Sequence, residues 1–333
     1  MIRYMRLLVA LVSCFLVLPR FIHAQELAYA DRVRIAEAFR LADAVEQLWP
    51  GWSEVPFAVL LVTSEHEFLI RHPHPSDDFE SLGHDALLDE EVLVRPRVFE
   101  PSLLATFPAV SGLPTLVIGT SDETGLSSAQ WVLTAIHEHF HQLQMSDVDY
   151  YSATDELGLS SGDESGMWML DYPFPYDSLE VAAALEKLAR AARLALDSIR
   201  FPSSGDILGD YLGQRDRLRE ALSERDYRYL SFQIWQEGIA RYTQLAAAAR
   251  AGTEYVPSER FEALPDFMPY SDAAEELRET VRSELERGLP ELRRVFFYPI
   301  GAVEGLLLDR VRPGWKEHYL ARKFYVERYF ADQ

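Results

Sequence analysis

The chain has 333 residues, of which 48% are hydrophobic and 26% are charged, and this composition is typical of a globular protein with a full hydrophobic core. Its formal net charge of −21 disfavours nucleic acids and anionic membrane surfaces as partners, because both would repel the chain. We therefore expect a globular protein that binds no nucleic acid.

Residues 1–24 resemble a secretory signal peptide. Two arginines precede an apolar stretch from Leu7 to Leu18, and Ala24 is a small residue directly before Gln25, as at a cleavage site. The apolar stretch is short for a membrane span. We expect an exported mature chain that begins at Gln25 and has no integral membrane span.

Cys14 is the only cysteine and allows an alternative. Residues 11–14 (Leu-Val-Ser-Cys) resemble the lipobox of bacterial lipoproteins, in which the lipidated cysteine anchors the protein to a membrane. Apolar sequence continues past Cys14 to Ile22, which favours cleavage after Ala24 instead. The mature chain would then contain no cysteine, so disulfides and thiol catalysis are excluded.

An α/β lobe is predicted for residues 25–125. Helical periodicity from Asp31 to Leu48 is followed by four apolar segments that favour strands, at residues 57–62, 67–71, 92–95 and 115–119. The acidic and polar residues 73–90 predict a surface excursion.

Residues 137–141 read His-Glu-His-Phe-His, the pattern H-E-x-x-H, within a mostly uncharged run that contains no proline. Residues four apart share a helix face, so His137 and His141 can direct their imidazoles to one point. Such a pair binds zinc, and the adjacent Glu138 can take a proton from a metal-activated water as general base. His139 lies about 200° round the helix from His137, so we expect it to point away. The alternative, a surface helix with clustered histidines, is disfavoured by the apolar flanks.

A mainly helical catalytic lobe is predicted for residues 126–333. Helical spacing recurs in several alanine-, leucine- and charge-rich segments, at residues 181–200, 207–222, 229–250, 272–287, 301–311 and 315–329. The expected fold is α+β: a small mixed β-sheet lobe followed by a helical lobe, with the zinc helix at the junction. An aromatic loop at residues 168–176 either walls a cleft or is pinned to the core.

Catalytic zinc takes three protein ligands and leaves a fourth position for water, and three carboxylates compete for the third place. Asp147 lies six residues after His141, but the zincin class with this spacing needs glycine at the position of Gln144. Glu180 begins a helix, where a carboxylate is expected to interact with the helix dipole. Glu237 is favoured, because a charge beside glycine in an apolar helix is costly without a partner. Its alternative is a solvated glutamate on an amphipathic helix.

Two motifs together resemble those of the gluzincin zinc metallopeptidases, the thermolysin-like and aminopeptidase-like group. They are H-E-x-x-H at residues 137–141 and W-x-E-G-x-A-x-Y at residues 235–242. The resemblance implies a zincin-like fold with zinc bound by the two motif histidines and Glu237. It also implies that Glu138 is the general base and acid.

The chain departs from this family pattern in two places. Glu237 follows His141 by 96 residues, a longer interval than is usual in the family, which implies an inserted helical segment at about residues 150–225. Arg241 stands where thermolysin-like enzymes have an aspartate that orients a ligand histidine, so another residue is expected to do this. The small residue Gly238 predicts a close approach to another helix.

Further residues are weaker candidates. Aminopeptidase-like gluzincins use a tyrosine to stabilise the tetrahedral oxyanion, and Tyr298 is the candidate for this role. Its alternative is a buried aromatic residue before a proline-started helix. His72 and His74 form a second histidine pair, for which an exposed turn is favoured over a metal site.

The resulting hypothesis is an exported zinc metallopeptidase with one Zn²⁺ per chain and a peptide or protein substrate. His137, His141 and Glu237 would bind zinc, and Glu138 would activate the water that cleaves the peptide bond. The rival hypothesis is a catalytically inactive, zinc-bearing exported protein that serves in binding or envelope assembly.

Overall fold

The computed structural model describes residues 26–200 and 206–331. The predicted signal peptide, its cleavage position before Gln25 and the lipobox cysteine Cys14 lie outside these residues. Within the described ranges, no helix is both long enough and apolar enough to cross a membrane.

Six strands form one mixed sheet near the N-terminus. Their order is β3-β4-β2-β1-β6-β5, and β1 and β6 are parallel while all other neighbours are antiparallel. The strands are β1 (Val59–Val62), β2 (His66–Ile70), β3 (Glu80–Asp85), β4 (Glu90–Pro96), β5 (Leu104–Val110) and β6 (Leu113–Gly119).

One long helix precedes the sheet, and the rest of the described chain is mainly helical. The helices are α1 (Tyr29–Val45), α2 (Ser121–Thr124), α3 (Ser128–Ser146), α4 (Tyr150–Glu156), α5 (Trp168–Asp171), α6 (Leu179–Arg200), α7 (Ile207–Ala221), α8 (Glu224–Gln233), α9 (Ile239–Glu254), α10 (Glu259–Glu262), α11 (Tyr270–Arg287), α12 (Leu289–Leu292) and α13 (Phe297–Val311). A π-helix, Ile234–Gly238, joins α8 to α9, and a 3₁₀ turn, Arg293–Phe296, precedes α13.

The predicted α+β class is confirmed: a mixed six-stranded sheet is followed by a mostly helical region. All four predicted strands are present, at β1, β2, β4 and β6. The sequence analysis did not predict β5, which contains Pro108, a residue that cannot donate a ladder hydrogen bond. That proline lies in an edge strand, where the register shifts between Phe107 and Val110. The predicted boundary at residue 125, between an α/β lobe and a helical lobe, stays a prediction.

Two further sequence predictions are wrong in part. Residues 73–90 do not form a surface excursion throughout, since they contain β3, an exposed edge strand that is paired with β4. The helix predicted at 315–329 is replaced by two 3₁₀ turns, Trp315–His318 and Val326–Phe330. Phe324 between them has a φ of 74°, which a helix cannot accommodate, and its ring is buried against Trp235.

Helix α3 lies between the sheet and the helical region. It packs against β5 and β6 on the sheet side and against α1 and α9 elsewhere. The indole of Trp131 donates to the carbonyl of Gly119 at 2.8 Å, and the Thr106 hydroxyl donates to the carbonyl of Glu138 at 3.0 Å. These bonds fix the position of α3 on the end of β6 and on β5.

The helix that carries Glu237 approaches α13 through two glycines, as the small residue at 238 predicted. A Cβ added at Gly301 would lie 2.5 Å from the Cα of Gly238 and 2.9 Å from the carbonyl oxygen of Ile234. Both distances are too short for a real Cβ, so any larger residue would push α13 away from the π-helix.

We therefore expect Gly301→Ala to lower the free energy of unfolding by about 1–3 kcal/mol, the usual cost of overpacking. The measurement is urea-induced unfolding. Gly213→Ala is the matched control, because a Cβ at this position in α7 meets nothing within 4 Å. That change should instead raise stability by about 0.5–1 kcal/mol, since alanine replaces glycine inside a helix. Equal stability of the two variants would contradict the close contact.

Candidate metal centre

The H-E-x-x-H residues lie in the second half of α3. The helix starts with a capping box, in which the Ser127 side chain accepts from the Gln130 backbone and the Gln130 side chain accepts from the Ser127 backbone. This satisfies two orphan donors at the helix start. One face of the following turns carries His137, Glu138 and His141, all buried. The local sequence thus forms a stable helix that brings the three side chains into the interior.

Glu237 lies on the π-helix between α8 and α9. The sequence predicted an uninterrupted helix over residues 229–250, whereas the structure widens one turn at Ile234–Gly238. A π turn inserts an extra residue into the helical ladder and is frequent at functional sites. Glu237 lies within this wider turn, and its carboxylate extends to the histidines of α3.

Three side-chain atoms converge on one point. The two Nε2 atoms of His137 and His141 lie 3.2 Å apart, and Oε2 of Glu237 lies 3.7 Å and 3.4 Å from them, respectively. Ligand atoms about 2.0–2.1 Å from a tetrahedral zinc ion lie about 3.3–3.4 Å from one another. The spacing of the three atoms therefore fits a single zinc ion, and the nitrogen and oxygen donors suit it chemically.

Glu138 forms a second possible group with the same histidines. One ligand atom from each of His137, Glu138 and His141 lies within 4.8 Å of the others. The Glu237 carboxylate lies 3.4–3.7 Å from the imidazoles, so it is better placed than Glu138 to be a third ligand. One carboxylate oxygen of Glu138 is buried without a hydrogen-bond partner among the described residues. A buried unpaired carboxylate oxygen is costly, and a water or substrate group in the site would satisfy it.

The electrostatics of the three side chains are strongly coupled. Burial alone would raise the pKa of Glu237, but the charge and hydrogen bonds of His141 and His137 hold it well below its usual range. Burial would lower the pKa of His141, yet the Glu237 carboxylate raises this pKa to about 9. Burial lowers the pKa of His137. Because imidazole binds metals in its neutral form, a cation that enters this site would displace a proton from His141.

Gln144 orients His141, a role that the sequence did not reveal. Its Oε1 lies 2.6 Å from Nδ1 of His141, so that Nδ1 carries the proton and Nε2 is left for the metal. Its Nε2 donates to the carbonyls of Trp235 and Gln236 at 3.1 Å and 3.0 Å. Gln144 therefore links the ligand histidine to the π-helix that carries Glu237. The sequence signal was a polar residue three positions after a ligand histidine, within an apolar helix.

The other ligand candidates lie elsewhere. Asp147 caps the end of α3 and pairs with Lys323 at 2.9 Å. Glu180 is exposed in the first turn of α6. Arg241 pairs with Glu284 at 3.6 Å. The residue that contacts a candidate ligand histidine is Gln144, not Arg241. The exclusion of Asp147 and Glu180 as ligands agrees with these positions.

Tyr298 does lie at the site. Its ring stacks near that of His137, with centroids 6.4 Å apart and an interplanar angle of 17°. Burial and the Glu237 carboxylate raise the pKa of its hydroxyl well above the usual range, so Tyr298 stays protonated and can donate a hydrogen bond. Arg294, which the sequence did not single out, donates to the Tyr298 hydroxyl at 2.6 Å and lies 3.3 Å from Oε1 of Glu237.

His139 lies away from the metal point, as expected. Its ring is sandwiched between Trp52 and Phe57, with centroids 5.3 Å and 4.0 Å away, and burial lowers its pKa to about 4. The aromatic loop is pinned to the core, since its residues Trp168, Tyr172, Phe174 and Tyr176 are buried. His72 and His74 lie in a bend after β2, where the His74 amide donates to the His72 ring.

Comparison of the chain with family models, curated proteins and solved structures found no match. The interpretation of the site therefore rests on its own geometry and chemistry. The described residues bring together the buried imidazoles of His137 and His141, the nearby carboxylate of Glu237, and the buried carboxylate of Glu138 with its one unpaired oxygen.

Two glutamines on α3 allow a matched test of the role of Gln144. Gln144→Met removes the hydrogen bond to a ligand histidine, and changes of this kind typically weaken metal affinity by about 10–100-fold. Gln142→Met removes the equivalent bond to His139, at 2.8 Å, which is not a ligand. Both variants should lose stability, but only Gln144→Met should lose zinc affinity in a chelator-competition titration. Equal zinc affinities would show that Gln144 does not orient His141.

Proposed function

We propose that the protein is an exported zinc metallopeptidase of the gluzincin kind, with a zincin-like catalytic fold. The observation that carries the proposal is the approach of Glu237 to His137 and His141, at 3.4–3.7 Å, beside the unpaired oxygen of Glu138. These four residues belong to two motifs, and Glu237 follows His141 by 96 residues; their meeting supports the resemblance that the sequence suggested.

The chain supplies a defined set of chemical roles. When bound, zinc would polarise the scissile carbonyl and lower the pKa of a water molecule. Glu138 accepts the proton of the attacking water and passes it to the leaving amine. Tyr298, whose hydroxyl stays protonated beside Glu237, is the candidate donor of a hydrogen bond to the oxygen on which negative charge develops. Burial of the histidines excludes bulk water and strengthens each of these interactions.

The long interval between the motifs contains several helices. Within the described residues, α4 to α7 lie between α3 and α8 along the chain, which supports an inserted helical segment near residues 150–225. A peptide or protein substrate and one Zn²⁺ per chain belong to the same proposal, as does export directed by residues 1–24.

The rival function is a zinc-bearing exported protein without activity, which serves in binding or envelope assembly. Glu138 favours the enzyme, because a purely structural zinc site has no use for a second buried carboxylate with an unpaired oxygen beside the ligands. Binding of Glu138 to the metal as a fourth protein ligand would favour the rival.

We expect purified protein to contain one zinc ion per chain by elemental analysis. His137→Ala should lose most of this metal, because a three-ligand site depends on each ligand. His139→Ala is the control: it should keep its zinc, although loss of the ring between Trp52 and Phe57 should lower the thermal midpoint. Absence of stoichiometric transition metal from the wild-type protein would remove the zinc centre.

The peptidase function is tested by digestion of a peptide library with the mature protein, followed by mass spectrometry. Cleavage should stop with a chelator and return with added zinc. Glu138→Gln should keep zinc and fold but lose about 10²–10⁴ in rate, the usual effect of removing a general base. If zinc-loaded wild-type protein cleaves nothing, the rival function is favoured. If Glu138→Gln retains full activity, the assigned general base is wrong.

A further inference from the structure

The two oxygens of the Glu237 carboxylate have different partners. Oε2 faces the imidazoles of His137 and His141, whereas Oε1 lies 3.3 Å from Nη1 of Arg294. With a zinc ion bound, the metal would take Oε2 between the two imidazoles, and Arg294 would stay the partner of Oε1.

Arg294 is held firmly where it meets this oxygen. Its Nη1 donates to the hydroxyl of Tyr298 at 2.6 Å and lies 3.4 Å from Oε1 of Gln233. The guanidinium also faces the Tyr298 ring, 5.4 Å from the centroid, and its side chain is only 22% exposed. The rigid planar group thus has its position set by residues of α8 and α13.

The backbone before Arg294 is strained. Arg293 has φ of 48° and ψ of −123°, a conformation that is unfavourable for a non-glycine residue. Such strain persists where the surrounding structure holds it, and such positions cluster at functional sites. Here it sets the direction of the chain into the turn that carries Arg294 and then into α13, whose Gly301 contacts Gly238 beside Glu237.

We propose that Arg294 is a positioning residue that holds Glu237 as a one-oxygen zinc ligand and so keeps a coordination position open. The proposal rests on the zinc centre described above. A catalytic zinc site needs an open position for water and substrate. The hydrogen bond from Arg294 draws Oε1 away from the imidazoles, so that Oε2 alone faces the metal position. Without Arg294, Oε1 loses this bond and can turn toward the ion and occupy the position that the substrate needs.

The test uses the full mature protein loaded with Co²⁺, whose visible absorption bands weaken as its coordination number rises. Arg294→Gln removes the cation but leaves all zinc ligands in place. We expect weaker cobalt bands than in the wild type, and a zinc-loaded form with kcat reduced about 10–100-fold. KM should change little, because Arg294 contacts the ligand and not the substrate. Arg294→Lys keeps the charge without the planar group and should recover part of both properties.

Arg287→Gln is the matched control, since it removes a positive charge at the end of α11 from a side chain that is 47% exposed and paired with Glu291. Its cobalt spectrum should equal that of the wild type, and its kcat should stay within about twofold, as expected of a surface change. Circular dichroism establishes that each variant is folded. If Arg294→Gln does not fold, Arg294→Lys is compared with the wild type by the same measurements.

An unchanged cobalt spectrum in Arg294→Gln would overturn the proposal, and so would a change confined to KM. The two proposals fail separately. A wild type that binds Co²⁺ but cleaves no peptide removes the peptidase function, while the cobalt spectra still decide the role of Arg294. A wild type that binds no metal removes the centre itself, and with it the role of Arg294.

Discussion

The Glu237 carboxylate has to be compensated wherever it is buried, and this requirement organises the surrounding structure. A buried charge is tolerated only when opposite charges and hydrogen bonds replace the lost water. The imidazoles of His137 and His141 meet one carboxylate oxygen, and Arg294 meets the other. These partners come from α3 and from the turn before α13. The need to compensate one side chain thus ties three separate parts of the chain together.

Close backbone packing allows these partners to meet. Gly238 and Gly301 let the π-helix and α13 come into direct contact, and this places Arg294 next to Glu237. On the opposite side, Gln144 bonds to two carbonyls of the π-helix and to His141. A widened turn leaves carbonyls without their usual helical partners, so Gln144 both satisfies the backbone and orients a ligand. The irregular turn and the proposed metal centre are therefore parts of one arrangement.

Much of the candidate site could be read from short-range patterns. The i, i+4 spacing of His137 and His141 follows from helix geometry alone, and the unusual charge of Glu237 in an apolar helix marked it as needing a partner. Gln144 and Arg294 could not be found in this way. Their importance depends on which groups lie opposite them, and Arg294 is 57 residues from Glu237 along the chain.

By itself, the sequence determined the α+β class, four of the six strands and the helix that bears H-E-x-x-H, because hydrophobic periodicity and helix geometry act over a few residues. Only the tertiary structure decided the edge strands β3 and β5, the 3₁₀ turns in place of a helix at 315–329, and the π turn at Ile234–Gly238. Long-range contacts accompany each of these: a neighbouring strand for β3 and for β5, aromatic packing around Phe324 for the C-terminal turns, and Gln144 for the π turn. Local propensity is weak enough for such contacts to override it.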